Sequence, residues 1–550
     1  MKKYVIACLL LLMLFSNESC RKQLDRVPPD SFSSENFWSS PDNVFQALTG
    51  VYRGNIQMLT PPDADAEYNP TDWWSYHGLL LIEFASDNAY DRRGDNSAWN
   101  TLTNGALTNN NANIAACWKF SYAKIARCNY FLENIGKASL DAALAARYIA
   151  EVRFIRACQY FYLSQYFGSV PLVTKTLNTQ EANTVTKASH ADIINFLIQE
   201  YTEAAAALPR YGALTAGERG RASAQVALAF LGRTYLAEQK WADAAAAYKQ
   251  IIDWNENSID PNYTSLFDGS NETSKEIIFA TQYQQDLAPN SMLLHCYPRG
   301  LGGYHLYNPL GSLVESYEFN DGTPFSYSDS RYNPSDLGQN RDPRLKYSIV
   351  YTNQVFKNYL YDSNPDHLTS LDRVSTTLQA TRTGFCPRKF NSETFNGALA
   401  NSGIDLPIIR YAEVLLSYLE AKLENGDAMD QALLDATINL VRGRTSVNMP
   451  KVTETDPAKL RVILRRERRV ELAMEGIRLW DLLRWKIAGD VLQGNFYGHP
   501  YPGAANLNTP SGMAADPYSR WYVTKKAFRK GQDELWPVPL SEVNINPNLK

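Results

Sequence analysis

The chain has 550 residues, with 54 Lys+Arg against 58 Asp+Glu and a formal charge of −4. Apolar residues make up 45% and charged residues 20%, ordinary usage that excludes disorder or low complexity for most of the chain. Such a length can bury a large core without disulfides or metals, and the mild negative charge argues against a nucleic-acid binder, which carries a basic stripe. Aromatic residues stand out, with 33 Tyr, 22 Phe and 11 Trp. Flat rings fill cores but also make binding platforms, so each cluster has to be assigned to one use or the other.

Lys2 and Lys3 precede an apolar run from Val5 to Phe15. The run is shorter than the ~20 residues a spanning helix needs and fits the apolar part of a secretory signal. Ser19 directly before Cys20 is the pattern of a bacterial lipoprotein cleavage site. Residues 1–19 therefore read as a signal peptide and 20–43 as an N-terminal segment lipidated at Cys20. An ordinary secreted protein with an incidental Cys20 is the alternative. Cys117, Cys128, Cys158, Cys296 and Cys386 are odd in number and widely scattered. They suit buried thiols better than a disulfide framework, and the lack of C-x-x-C argues against a zinc or redox site.

Residues 44–255 read as a helical region. Ala116–Ile135 and Ala142–Phe167 repeat apolar residues at three-to-four spacing, and Gly168 with Pro171 stops the second. Ile193–Leu208, Ala222–Gln239 and Ala242–Trp254 continue the series. Leu231-Gly232, Tyr235, Ala244 and Tyr248 fall at the offsets of a tetratricopeptide helix pair, in which small residues let two helices approach and rings fill the space between. Residues 256–406 differ. Pro, Gly, Asn, Tyr and Ser dominate there, with short strands expected at Glu276–Thr281 and Lys346–Thr352. A loop-rich stretch of this length inside a compact protein is usually functional. In 407–550, helices are expected at Ile409–Asn425, closed by Gly426, at Asp430–Arg444, and at Pro457–Lys486, opened by Asp456-Pro457. The fold class is mainly α: an irregular tetratricopeptide-like helical repeat scaffold with a loop-rich ligand-binding region.

Motifs for chemistry are sparse. H-E-x-x-H, G-x-S-x-G and P-loop patterns do not occur, and Gly300-Leu301-Gly302-Gly303 lacks the third glycine of a dinucleotide fingerprint. The six His are dispersed, so no metal, cofactor or catalytic residue is assigned. Asp63, Asp65, Glu67 and Asp72 form an acidic loop that could supply a glycosidase pair, which is the enzyme alternative. The charged stretch Arg465–Lys486 reads as a structural helix whose basic residues are consumed by local acidic partners, with Glu475, Arg478, Asp481 and Arg484 as a ladder. An anion groove is its functional alternative.

Two aromatic clusters in polar loops are more informative. The first comprises Trp73, Trp74 and Tyr76, then Asp87, then Trp99 and Asn100 after Asp91-Arg92-Arg93-Gly94-Asp95-Asn96. The second comprises Tyr297, Arg299, Tyr304 and Tyr307 in a Gly-rich loop. A pyranose face stacks on such rings while neighbouring amides and charges bond its hydroxyls. An extended peptide would also fit. Loop rings that fold back to pin their own loop are the alternative.

Several ordered motifs resemble one family. Arg466-Glu467-Arg468-Arg469-Val470-Glu471-Leu472, Glu475-Gly476-Ile477-Arg478 and Asp481-Leu482-Leu483-Arg484-Trp485 look like the C-terminal signature of the SusD/RagB nutrient-binding outer-membrane lipoproteins of Bacteroidetes. Arg341-Asp342-Pro343-Arg344-Leu345, Arg410-Tyr411-Ala412-Glu413 and Trp536-Pro537-Val538-Pro539 extend the match. The resemblance implies a helical, non-catalytic, lipid-anchored protein of the outer membrane, facing the exterior. Such a protein captures oligosaccharides, or peptides in the RagB branch, as a lid on a SusC-like TonB-dependent transporter. It also implies a ligand cradle built from an N-terminal and a mid-chain loop, which here places Trp99 with Asn100, and Tyr297 with its neighbours.

Overall fold

The computed structural model describes residues 37–53 and 73–550. Cys20 and the acidic residues Asp63, Asp65, Glu67 and Asp72 lie outside the described residues.

Side-chain caps start the main helices where the sequence places them. Helix α1 spans Pro41–Arg53. Asn111 opens α2 (Ala112–Asn134) and Asp141 opens α3 (Ala142–Phe167), each accepting two backbone N–H groups of the first turn. Ser189 caps α4 (His190–Ala207) and Ser223 caps α5 (Ala224–Ala237), which a short turn joins to α6 (Trp241–Trp254). Gly168 ends α3 at φ 73°, a conformation costly for residues with a Cβ. Each helix from α2 to α6 packs on the next. The tetratricopeptide-like pair has a clear steric basis: a Cβ on Gly232 would lie 2.5 Å from the Tyr248 ring, so only glycine lets that ring lie flush against α5.

The stack does not end at Trp254. Helix α6 packs on α7 (Tyr411–Glu424), far along the chain. Two antiparallel strands make this possible. Strand β1 is Ala89–Asp91, β2 is Ile277–Thr281, β3 is Tyr307–Pro309 and β4 is Leu406–Arg410. Strand β2 pairs with β4, Ile277 opposite Arg410, so the loop-rich stretch leaves and rejoins the helical scaffold at one place. A long hairpin-like pair, β5 (Gln493–Pro500) and β6 (Arg520–Ala527), follows near the C-terminus.

Three expected elements are corrected. Asp430–Arg444 is two short helices, α8 (Gln431–Ala436) and α9 (Ile438–Arg442), broken at Thr437. Pro457–Lys486 is also two, α10 (Pro457–Glu471) and α11 (Arg478–Arg484). Gly476 makes that break at φ 73°: its N–H donates to Glu83 Oε1 at 2.9 Å, and a Cβ there would lie 2.8 Å from the Leu79 carbonyl oxygen. Lys346–Thr352 begins as a helical turn and becomes a strand only at Ile349–Val350, paired with Cys386–Pro387.

The charged C-terminal helices hold a buried ion-pair network. Arg410 donates to Glu276, Glu471 and Glu475, and Arg444 to Glu276 and Glu471, with N–O distances of 2.5–3.0 Å. Arg344 reaches Asp342, Glu467 and Glu471, and Arg442 reaches Glu318 and Glu467. Burial by itself would raise the Glu471 carboxyl, but Arg444, Arg410 and Arg344 hold it well below the usual carboxylate range. The charge is consumed, as expected, but mostly by distant partners. Of the anticipated ladder, Arg484–Asp481 forms at 2.7 Å, whereas Arg478 turns to Asp87 and Glu475 to Arg410 and Lys389. Arginine suits this use because its planar fork pairs two carboxylates at once.

Candidate functional site

The two aromatic loops do meet. Strand β1 pairs antiparallel with β3, setting Asp91 opposite Tyr307 and Tyr90 opposite Asn308. Beyond this pair the chain runs into Arg92-Arg93-Gly94 on one side and comes from Arg299–Leu306 on the other, and Arg92 N–H donates to Leu306 O at 3.1 Å. A third segment closes the junction: Arg382 N–H donates to Asn308 Oδ1 at 2.7 Å, and its Nε to Arg92 O at 3.0 Å.

Asp372 shapes the mid-chain loop. Its buried carboxylate accepts the backbone N–H groups of Arg299 (2.7 Å) and Gly300 (3.1 Å) and the Tyr359 hydroxyl (2.7 Å). Burial opposes its ionisation, yet His305, Tyr359 and the backbone donors lower its pKa overall. Gly303 packs directly under the Tyr297 carbonyl, where a Cβ could not be placed. The glycines of Gly300-Leu301-Gly302-Gly303 thus serve a tight loop that lifts Tyr304 outward. The Tyr304 ring is 36% exposed and stands edge-on to His295, with centroids 5.6 Å apart. His295 Nδ1 in turn lies 2.8 Å from the Tyr76 hydroxyl. Burial first, then Arg93, takes the His295 imidazole down to about 4, so it is neutral at pH 7.

The other candidates are corrected, because their side chains face inward. Trp73 stacks on Tyr162 (4.8 Å) and Tyr166 (5.4 Å) and donates to Ser121 Oγ. Trp74 packs on Phe154 and Phe279, with Lys124 Nζ 5.1 Å from its ring centre. Tyr76 is 2% exposed beneath His295. Asp87 is an internal counter-ion, 2.9 Å from Arg469 and 2.8 Å from Arg478; burial would raise its pKa, but these guanidinium groups hold it well below the usual range. Trp99 is 1% exposed, its indole nitrogen 3.1 Å from the Asn113 amide. Asn100 is a loop pin that accepts from Asp91 N and donates to Asp91 O and Gly94 O. Tyr297 donates to Ser392 O and is 1% exposed, and Tyr307 is buried against Phe84. Burying a Trp removes 150–250 Å² from water, on the order of 5 kcal/mol at ~25 cal/mol/Å², so a polar loop folds its rings inward whenever its backbone groups find partners.

Of the ten candidates, Tyr304 and Arg299 reach the surface. Sequence reading missed Arg92, Arg382, His295 and Asp372. Arg92 stands inside the first loop motif and was open to selection, whereas Arg382 lies 290 positions from the residue it contacts and carries no local signal. The five cysteines are buried, in line with their expected use as apolar filler. Among the described residues no cluster of metal-ligand type occurs, and no helix is long and apolar enough to cross a membrane.

The fold is thus a helical-repeat scaffold carrying a loop-built face. The family model for the SusD family matches residues 266–550, and a model described as starch-binding proteins associating with the outer membrane matches residues 42–236. The chain belongs to the SusD family. A SusD-like carbohydrate-binding protein from Bacteroides fragilis is 48% identical in sequence and superposes with a TM-score of 0.90, over 94% of this chain and all of that one. SusD-like protein P25 of Formosa agariphila is 23% identical over 98% of this chain and 96% of its own length. A laminarin-binding SusD-like protein, 20% identical, shares the fold with a TM-score of 0.67 over 92% of this chain and 98% of its own.

Proposed function

We propose that this protein is a non-catalytic lipoprotein, anchored through Cys20 to the outer face of the outer membrane, that captures oligosaccharides and passes them to a SusC-like TonB-dependent transporter. The observation that carries the reading is the 48% identity across nearly the whole chain to a carbohydrate-binding SusD-like protein. The meeting of the two aromatic loops at β1 and β3 supports the same location for capture, with Tyr304 as the exposed ring. Binding needs no chemistry: a sugar face stacks on the ring, and polar groups of rigid loops set orientation, so little ordering entropy is lost. Calorimetry against a glycan panel, using the chain without residues 1–20, tests this. Tyr304→Ala should weaken the cognate glycan roughly tenfold, as truncation of a binding anchor does. Absence of binding to every glycan, or turnover of a bound one, overturns the reading.

A further inference from the structure

We infer that the loop junction is an anion subsite: Arg92, Arg299 and Arg382 hold a carboxylate or sulfate group of an acidic oligosaccharide whose sugar ring rests on Tyr304. The inference rests on the reading of the chain as a glycan-capturing protein and adds the charge class of the ligand.

Three segments distant in sequence bring these guanidinium groups together, and among the described residues none of the three makes an ion pair. Arg382 spends Nε on Arg92 O and one Nη on Ser375 O. The Arg299 side chain donates once among the described residues, to Gly303 O at 2.9 Å. Among the described residues the Arg92 side chain makes no hydrogen bond, and its buried Nε has no partner there. A guanidinium offers five N–H donors, so most of this donor capacity has no partner among the described residues. Nor can the carboxylates of the same segments supply it. Asp91 is forked onto Arg93 at 2.6–3.0 Å. Asp95 accepts the Tyr90 and Thr524 hydroxyls. Asp372 is bound to the loop backbone.

The cluster also works against itself. Burial, then Arg382 and Arg299, lowers the pKa of Arg92, and burial lowers that of Arg382. An unpaired buried cation is costly, and elsewhere in this molecule buried arginines such as Arg344, Arg410 and Arg444 meet carboxylates. A planar carboxylate or a sulfate would satisfy the fork geometry through charge-assisted bonds. All three residues are half-buried, so a ligand can reach them.

Calorimetry at about 50 and about 300 mM NaCl, with short oligogalacturonate, a sulfated galactan oligosaccharide, a laminarin oligosaccharide and an acidic peptide, tests the inference. The wild type should bind an anionic sugar at least about tenfold more tightly than the neutral one, and salt should weaken that preference. The uronate and sulfate arms identify which anion is taken. Arg92→Gln and, separately, Arg299→Gln should cost roughly ten- to a hundredfold against the anionic sugar and several-fold less against the neutral one, with circular dichroism confirming the fold. Preference for the neutral glucan, unaffected by either variant, overturns the anion subsite and leaves glycan capture standing. Binding of the acidic peptide alone overturns the sugar assignment, and binding of no probe overturns both readings.

Discussion

Arginine is used in opposite ways in two regions of this protein. Around α10 and β4, Arg344, Arg410, Arg442 and Arg444 are each met by two or three carboxylates and buried from solvent. At the loop junction Arg92, Arg299 and Arg382 meet none among the described residues and stay half-buried. Paired charge ties together chain segments that are far apart in sequence. Spare charge, held in place by backbone contacts, is what a binding face requires. The difference separates the part of the molecule that maintains the fold from the part free to meet a ligand.

The largest effect is expected in the paired region. Glu471→Ala would remove the one carboxylate that Arg344, Arg410 and Arg444 all reach and should lower stability by about 3–5 kcal/mol, read from chemical denaturation. Acid should act on the same region. The Glu420 carboxyl is desolvated but brought down from 4.5 to about 2 by Arg484. A depressed folded value stabilises above the unfolded pKa and loses that contribution as pH falls, here from about 4.5 towards about 2. Glu83 runs the other way. Burial raises it from 4.5 to about 7, so its contribution is present below 4.5 and fades as pH rises through 7. Melting temperatures should therefore fall as pH drops below about 4.5, and a plateau down to pH 2 would contradict the paired network.

Smaller effects follow elsewhere. Gly232→Ala pushes a methyl group into the Tyr248 ring and should cost about 1–3 kcal/mol by overpacking, without touching either arginine region. Arg92→Gln should shift the denaturation midpoint by no more than about 0.5 kcal/mol in free energy, since no ion pair is lost. A large destabilisation would mean that the junction arginines are structural after all and that the contrast between the regions fails.

The helical scaffold was legible in the sequence because its determinants are local. Asp141 and Gly168 bracket α3, Asp456-Pro457 open α10, and Gly232 with Tyr248 mark a close helix pair; each acts within a few turns of chain. The motifs running from Arg466 to Trp485 were equally visible, but their partners were not, since Glu471 meets Arg344 and Arg410 across the fold. The binding face was the least legible. Trp99 and Tyr297 stand in polar loops beside Asn and Arg, as exposed platforms would, yet Asn100 and Asp372 satisfy those loops' backbone groups and leave the rings free to sink into the core.

The aromatic excess therefore divides differently from its sequence neighbourhoods. Chain order and residue type dictate where helices begin and end, because capping and periodicity depend on contacts a few residues apart. Which ring faces water, and which arginine keeps its charge unpaired, depends on the pairing of β1 with β3 and on Arg382 arriving from a third segment. Burial and charge compensation are sums over neighbours in space, so Tyr304 and Arg92 emerge as the exposed ring and the spare charge only once the folded chain has chosen those neighbours.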